Sequence, residues 1–103
     1  HMLKIKDNVD LKELEKFGFR YWGVIWSCDD FSSVELSCYS FDFDLTDYLT
    51  ETESICLLKI NPLTREITEF IDDKFRHYTQ INNVRIEKLF DLIEAGLVEK
   101  VSD

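Results

Sequence analysis

Ile55-Cys56-Leu57-Leu58-Lys59-Ile60-Asn61-Pro62-Leu63-Thr64-Arg65-Glu66-Ile67-Thr68-Glu69-Phe70-Ile71 is the stretch that decides the fold. Two β-type runs, 55–60 and 65–71, flank Asn61-Pro62-Leu63-Thr64, where Asn-Pro favours the start of a turn. A link this short makes the second run return antiparallel, because a parallel return needs a crossover of about a dozen residues or more. The spacing predicts a β-hairpin, and the rest of the chain is read outward from it.

Upstream, Tyr21-Trp22-Gly23-Val24-Ile25-Trp26 is apolar on both faces and predicts a central strand. Asp29-Asp30-Phe31-Ser32-Ser33 is turn chemistry. Val34, Leu36 and Cys38 then share one face, whereas Phe41, Phe43 and Leu45 fall on the other parity with Asp42 and Asp44 between them. Such a shift predicts a bulge or bend near Tyr39 and Ser40. Thr46 to Ser54 reads as a polar connection. Nearer the N-terminus, Leu3-Lys4-Ile5-Lys6 alternates with the period of a half-buried strand. Asp10 and Glu13 stand at capping-box spacing, Val9 and Leu14 occupy staple positions, and Leu11, Leu14 and Phe17 share a face. With Gly18 suited to a left-handed stop, a helix is expected over about 10–17.

Downstream of the hairpin, Ile86, Leu89, Phe90, Ile93 and Leu97 recur at helical spacing, with Asn82 or Asn83 as the cap and Gly96 as the stop. A second helix is expected over about 84–95. Val98 and Val101 suggest a closing strand paired with the first. The order β-α-β-β-β-β-α-β predicts an α+β fold: an antiparallel or mixed sheet of five to six strands with two helices packed on one side. Residues 1–103 are read as a single domain, with His1 as a cloning remnant.

The composition supports folding, since 45% hydrophobic and 14% aromatic residues supply the apolar surface that offsets ordering entropy. No apolar run approaches the roughly 18 residues of a membrane span, and no basic stretch leads into an apolar one, so a cytoplasmic protein is expected. Cys28, Cys38 and Cys56 are odd in number and lack CxxC spacing, which predicts reduced thiols.

Catalytic and metal chemistry find little footing. His77 stands in Lys74-Phe75-Arg76-His77-Tyr78 without a nucleophile motif nearby, and the carboxylate pairs Asp29-Asp30 and Asp72-Asp73 fall in turn-like sequence where solvated carboxylates are the rule. Asp42, Asp44, Thr46, Leu49 and Glu53 match positions of a calcium loop, but Asp47 occupies the place of the required glycine, and a strand precedes the loop where a helix should. Leu89 to Glu99 resembles the end of a winged-helix module, yet no helix-turn-helix precedes it. Glu87, Asp91, Glu94 and Glu99 outweigh Arg85 and Lys88 there, so this helix is expected to pack on the sheet. No enzyme activity, cofactor or metal is expected.

The placement of charge is the most informative feature. The formal net charge is -9, and no Lys or Arg occurs between Arg20 and Lys59, whereas Asp29, Asp30, Glu35, Asp42, Asp44, Asp47, Glu51 and Glu53 all fall in that interval. Such a segment repels phosphates, so no direct nucleic-acid binding is expected, and it attracts a basic protein surface. Trp26, Phe31, Tyr39, Phe41, Phe43 and Tyr48 are interleaved with these carboxylates, and aromatic anchors ringed by charge are what an interface uses. The candidate partner-binding residues are the eight carboxylates together with Tyr48. A solvated face accounts for the same letters without a partner.

The opening Leu3-Lys4-Ile5-Lys6-Asp7-Asn8-Val9-Asp10-Leu11-Lys12-Glu13-Leu14-Glu15-Lys16-Phe17-Gly18-Phe19, the hairpin Ile60-Asn61-Pro62-Leu63-Thr64-Arg65-Glu66-Ile67 and the closing Asp91-Leu92-Ile93-Glu94-Ala95-Gly96-Leu97-Val98-Glu99-Lys100 resemble small proteins of Firmicutes phages and prophages. The likeness covers both ends and one hairpin, and Trp22 to Ser54 departs from it. Proteins of this character are similar to anti-CRISPR proteins, some of which occupy the basic nucleic-acid channel of a host nuclease. The resemblance implies an inhibitor of a host nucleic-acid-handling defence protein, such as a CRISPR nuclease, acting by acidic mimicry in the host cytoplasm. The alternative is a non-catalytic phage accessory protein that forms a homodimer or joins a host regulatory complex.

Overall fold

A computed structural model of the chain describes residues 2–27, 33–44, 54–69 and 77–101, with the backbone alone at 24–27 and 33–36. Its strands are β1 (Leu3–Ile5), β2 (Arg20–Ser27), β3 (Ser33–Asp44), β4 (Ser54–Ile60), β5 (Glu66–Glu69) and β6 (Val98–Lys100). A 3-10 helix, Leu11–Phe17, links β1 to β2, and helix α1, Thr79–Glu94, precedes β6. The six strands form one sheet in the order β2-β3-β4-β5-β1-β6, with every neighbouring pair antiparallel. This is the α+β architecture expected, and β6 pairs with β1 as the closing valines suggest. Among the described residues, no helix is long and apolar enough to cross a membrane.

The core lies between one face of the sheet and both helices. Ile5, Tyr39, Leu58, Ile60 and Ile67 point from the strands into a cluster completed by Leu14 of the 3-10 helix, Leu92 of α1 and Phe19. The first helix winds as a 3-10 helix because Leu11, Leu14 and Phe17 recur every three residues, and three residues per turn stacks them on one face. Asp10 caps it by accepting from the Lys12 backbone N–H at 3.0 Å. The capping box is only half made, since Glu13 turns instead to Lys16 at 3.0 Å.

Both helices stop in the same way. Gly18 at φ 89° lets the Phe19 N–H reach the Leu14 carbonyl at 3.1 Å, and Gly96 at φ 76° lets the Leu97 N–H reach the Leu92 carbonyl at 3.2 Å. In each case an apolar residue just past the glycine folds back onto the core, where Phe19 is buried and Leu97 packs beside it. α1 begins five residues before its expected start. Tyr78 occupies the N-cap without a side-chain capping bond, and Asn82 and Asn83, the expected caps, lie inside the helix.

Two strand expectations need correction. The run Tyr21–Trp26 forms the sheet's edge rather than its centre: β2 pairs with β3 alone among the described strands. Its two-faced apolar pattern comes from aromatics with polar handles. Tyr21 meets Tyr39 edge-on at 5.2 Å on the helix side, and Trp22 projects to the other side.

The bulge is also displaced. β3 pairs with β2 without interruption from Arg20↔Ser40 to Ser27↔Ser33, so Tyr39, Phe41 and Phe43 stay on one parity. The register changes instead against β4, from Phe41↔Leu58 to Asp42↔Cys56, leaving Leu57 as the extra residue. A bulge lets two consecutive side chains turn the same way. Leu57 and Leu58 are accordingly both fully buried, and Leu57 joins Ile81 of α1 in a second cluster flanked by Phe43, Ile55 and Val84.

Candidate functional site

Part of the acidic interval enters the described structure in the β2–β3 edge, where Asp42 and Asp44 lie on the face away from the helices. Trp22, Cys38, Ser40, Asp42, Cys56 and Lys59 line a shallow cleft of about 340 Å³ on that face. Strand alternation places them there: Arg20 is opposite Ser40, Trp22 opposite Cys38, and Asp42 opposite Cys56. The Trp22 Nε1–H donates to Ser40 Oγ at 2.7 Å, and Ser40 Oγ donates onward to Asp42 Oδ2 at 3.4 Å. The Arg20 guanidinium lies 4.8 Å from the centre of the indole ring. Trp22 is therefore held at both ends while its ring remains 44% exposed.

Burial, with the Asp42 carboxylate adding to it, pushes the Cys56 thiol up to about 11. A thiol that keeps its proton at neutral pH is a weak nucleophile and a weak metal ligand. Its Sγ–H donates to the Leu58 carbonyl at 3.4 Å. Among the described residues, no group of three or more His, Cys, Asp or Glu side chains is placed to hold a metal ion. His77 is exposed ahead of α1. A half-exposed indole bonded through Ser40 to Asp42, with Arg20 against its ring and Lys59 in the same cleft, is the kind of aromatic on which protein interfaces concentrate binding energy.

The residues expected to bind a partner are distributed unevenly. Asp42 and Asp44 share one face of β3, where Asp42 is half-buried in the bond with Ser40 and Asp44 is exposed. The backbone of Glu35 stands opposite Ile25 in the β2–β3 ladder. Asp29, Asp30, Asp47, Tyr48, Glu51 and Glu53 lie outside the described residues, as do Phe31 and the turn and polar connection that hold them.

The aromatics are redistributed as well. Tyr39, Phe41 and Phe43, read as anchors among the carboxylates, point to the helix side and serve the core, with Phe41 5.8 Å from Phe19. Tyr21 and Trp22 take the exposed positions instead. The sequence signal that could have found them is the strand's own edge position, which a pattern apolar on both faces conceals.

Comparison with family models, curated proteins and solved structures finds no match for the chain.

Proposed function

We propose that this chain is a non-catalytic acidic binding protein whose β2–β3 edge seats on a basic surface of a host nucleic-acid-handling protein, as an anti-CRISPR inhibitor does. The observation that carries the reading is Trp22. It is pinned through Ser40 to Asp42 and presented at the sheet edge at the start of an interval that contains eight carboxylates and no cation. Fixing the indole beforehand lowers the ordering cost of binding, and the carboxylates steer a basic partner toward it. The choice of a defence protein as partner rests on the resemblance to phage proteins.

Capture of host proteins on the tagged chain tests this, with Asp44→Lys/Asp47→Lys/Glu51→Lys and Trp22→Ala variants alongside. Asp42 is left intact because its carboxylate serves Ser40 within the fold. The parent chain should retain a nucleic-acid-binding enzyme that the triple variant loses, and Trp22→Ala should weaken the same complex. Retention of one partner by all three proteins, or self-association alone, would overturn the assignment.

A further inference from the structure

Helix α1 carries more apolar surface than the core uses. Ile81 and Leu92 are buried, and Val84 and Leu89 are half-buried against the sheet, yet Ile86, Phe90 and Ile93 remain 43%, 58% and 45% exposed. These three recur at i, i+4 and i+7, so they form one stripe along the outer side of the helix. A second stripe of the same length, Glu87, Asp91 and Glu94, runs beside it one residue on, and all three carboxylates are exposed.

Both cations of α1 are engaged within the chain. Arg85 pairs with Glu69 of β5, and the Lys88 ammonium sits 4.8 Å from the centre of the Phe41 ring and 3.9 Å from Asp91 Oδ2, which leaves Glu87 and Glu94 as the outermost carboxylates of the stripe. Leu89, one turn from both Ile86 and Ile93, also lines a groove of about 300 Å³ between α1 and the sheet, together with Met2, Leu3 and Ile67. Groove and stripe thus form one apolar tract, closed on the strand side by the Glu69–Arg85 pair and bordered on the helix side by Glu87, Asp91 and Glu94.

We infer that this tract is a docking site for a basic amphipathic helix of a partner protein. Apolar side chains at i, i+3/i+4 and i+7 of such a helix fill the groove and cover Ile86, Phe90 and Ile93, while its flanking Lys and Arg meet the acidic border on the helix. Charge decides between occupants. A second copy of this chain would bring the same three carboxylates against themselves, on a protein whose net charge is already -9. The site is separate from the β2–β3 edge, and neither depends on the other.

Three synthetic peptides of about four helical turns test the inference: an amphipathic Leu/Lys helix, its Leu/Glu counterpart, and a scramble of the Leu/Lys composition that destroys the apolar face. Binding is read by amide shift mapping on the full chain and by anisotropy. The Leu/Lys helix should shift amides of residues 86–97, Leu3 and Ile67, and the other two peptides should not. Ile86→Ala/Phe90→Ala and Glu87→Lys/Asp91→Lys/Glu94→Lys should each weaken it by about tenfold or more. Circular dichroism and thermal unfolding confirm that both variants remain folded. Equal binding of the scramble, shifts confined to residues 33–44, or sedimentation showing a dimer that Phe90→Ala dissolves would each overturn the inference.

Discussion

Arg65 adopts the left-handed φ of 66° that closes the β4–β5 turn, a conformation that costs any residue with a Cβ about 1–2 kcal/mol. Its side chain offsets that cost, because Nη1 donates to the Lys6 carbonyl at 2.8 Å and the Val9 carbonyl at 2.7 Å, tying the hairpin to the start of the first helix. Arg65→Ala keeps the strained backbone and loses both bonds, so it should destabilise the chain by about 2–3 kcal/mol in urea unfolding. Arg65→Gly should lose less, since it relieves the backbone.

Ser40 is 3% exposed and links Trp22 to Asp42, so Ser40→Ala should cost about 1–2 kcal/mol and broaden the indole Nε1–H resonance of Trp22. Cys56 adds a pH dependence. Its thiol moves from the ordinary 9.0 to about 11 on folding, so the unfolded chain sheds a proton in that window that the folded chain keeps. The associated stability is whole below pH 9 and is lost as pH rises toward 11. Tyr39, raised above 10.0 by burial, and Lys4, raised above 10.5 by its bond to Asp7, act in the same direction at higher pH. The alkaline fall in the urea midpoint should therefore shrink, without disappearing, in Cys56→Ala.

At the scale of the elements, α1 separates core from surface along one helix. Leu92→Ala empties a fully buried site and should cost about 2–5 kcal/mol, whereas Phe90→Ala should stay within about 0.5 kcal/mol. Periodicity alone groups Leu89, Phe90 and Ile93 on one apolar face, because helical spacing shows that a stripe exists and not how much of it a sheet covers. Helix ends were legible for a different reason. Gly18 and Gly96 set the stops through their own backbone freedom, whereas the start of α1 at Thr79 depends on packing of Ile81 against Leu57, a contact remote in sequence. The bulge was legible only as a parity conflict. Leu57 and Leu58 lie in an unbroken apolar run, so nothing in the letters assigns the extra residue to β4 rather than β3.

For the whole molecule, the two proposed interaction surfaces follow from one sheet with helices on one side. The edge strand β2 presents Trp22 on the face away from the helices, and α1 presents its outer stripe on the opposite side of the molecule's core. The cation-free interval was plain in the sequence, but the exposure of Trp22 was not, since it depends on β2 taking the edge. The proposed contact joins carboxylates of the β2–β3 edge region to cations of a nucleic-acid-handling partner. Its most direct measurement is the Kd of the captured complex across a salt series, with duplex DNA as competitor. Affinity should fall steeply as the Debye length shrinks from about 10 Å at 0.1 M salt to about 3 Å at 1 M, and DNA should displace the chain. A Kd indifferent to both salt and DNA would contradict it.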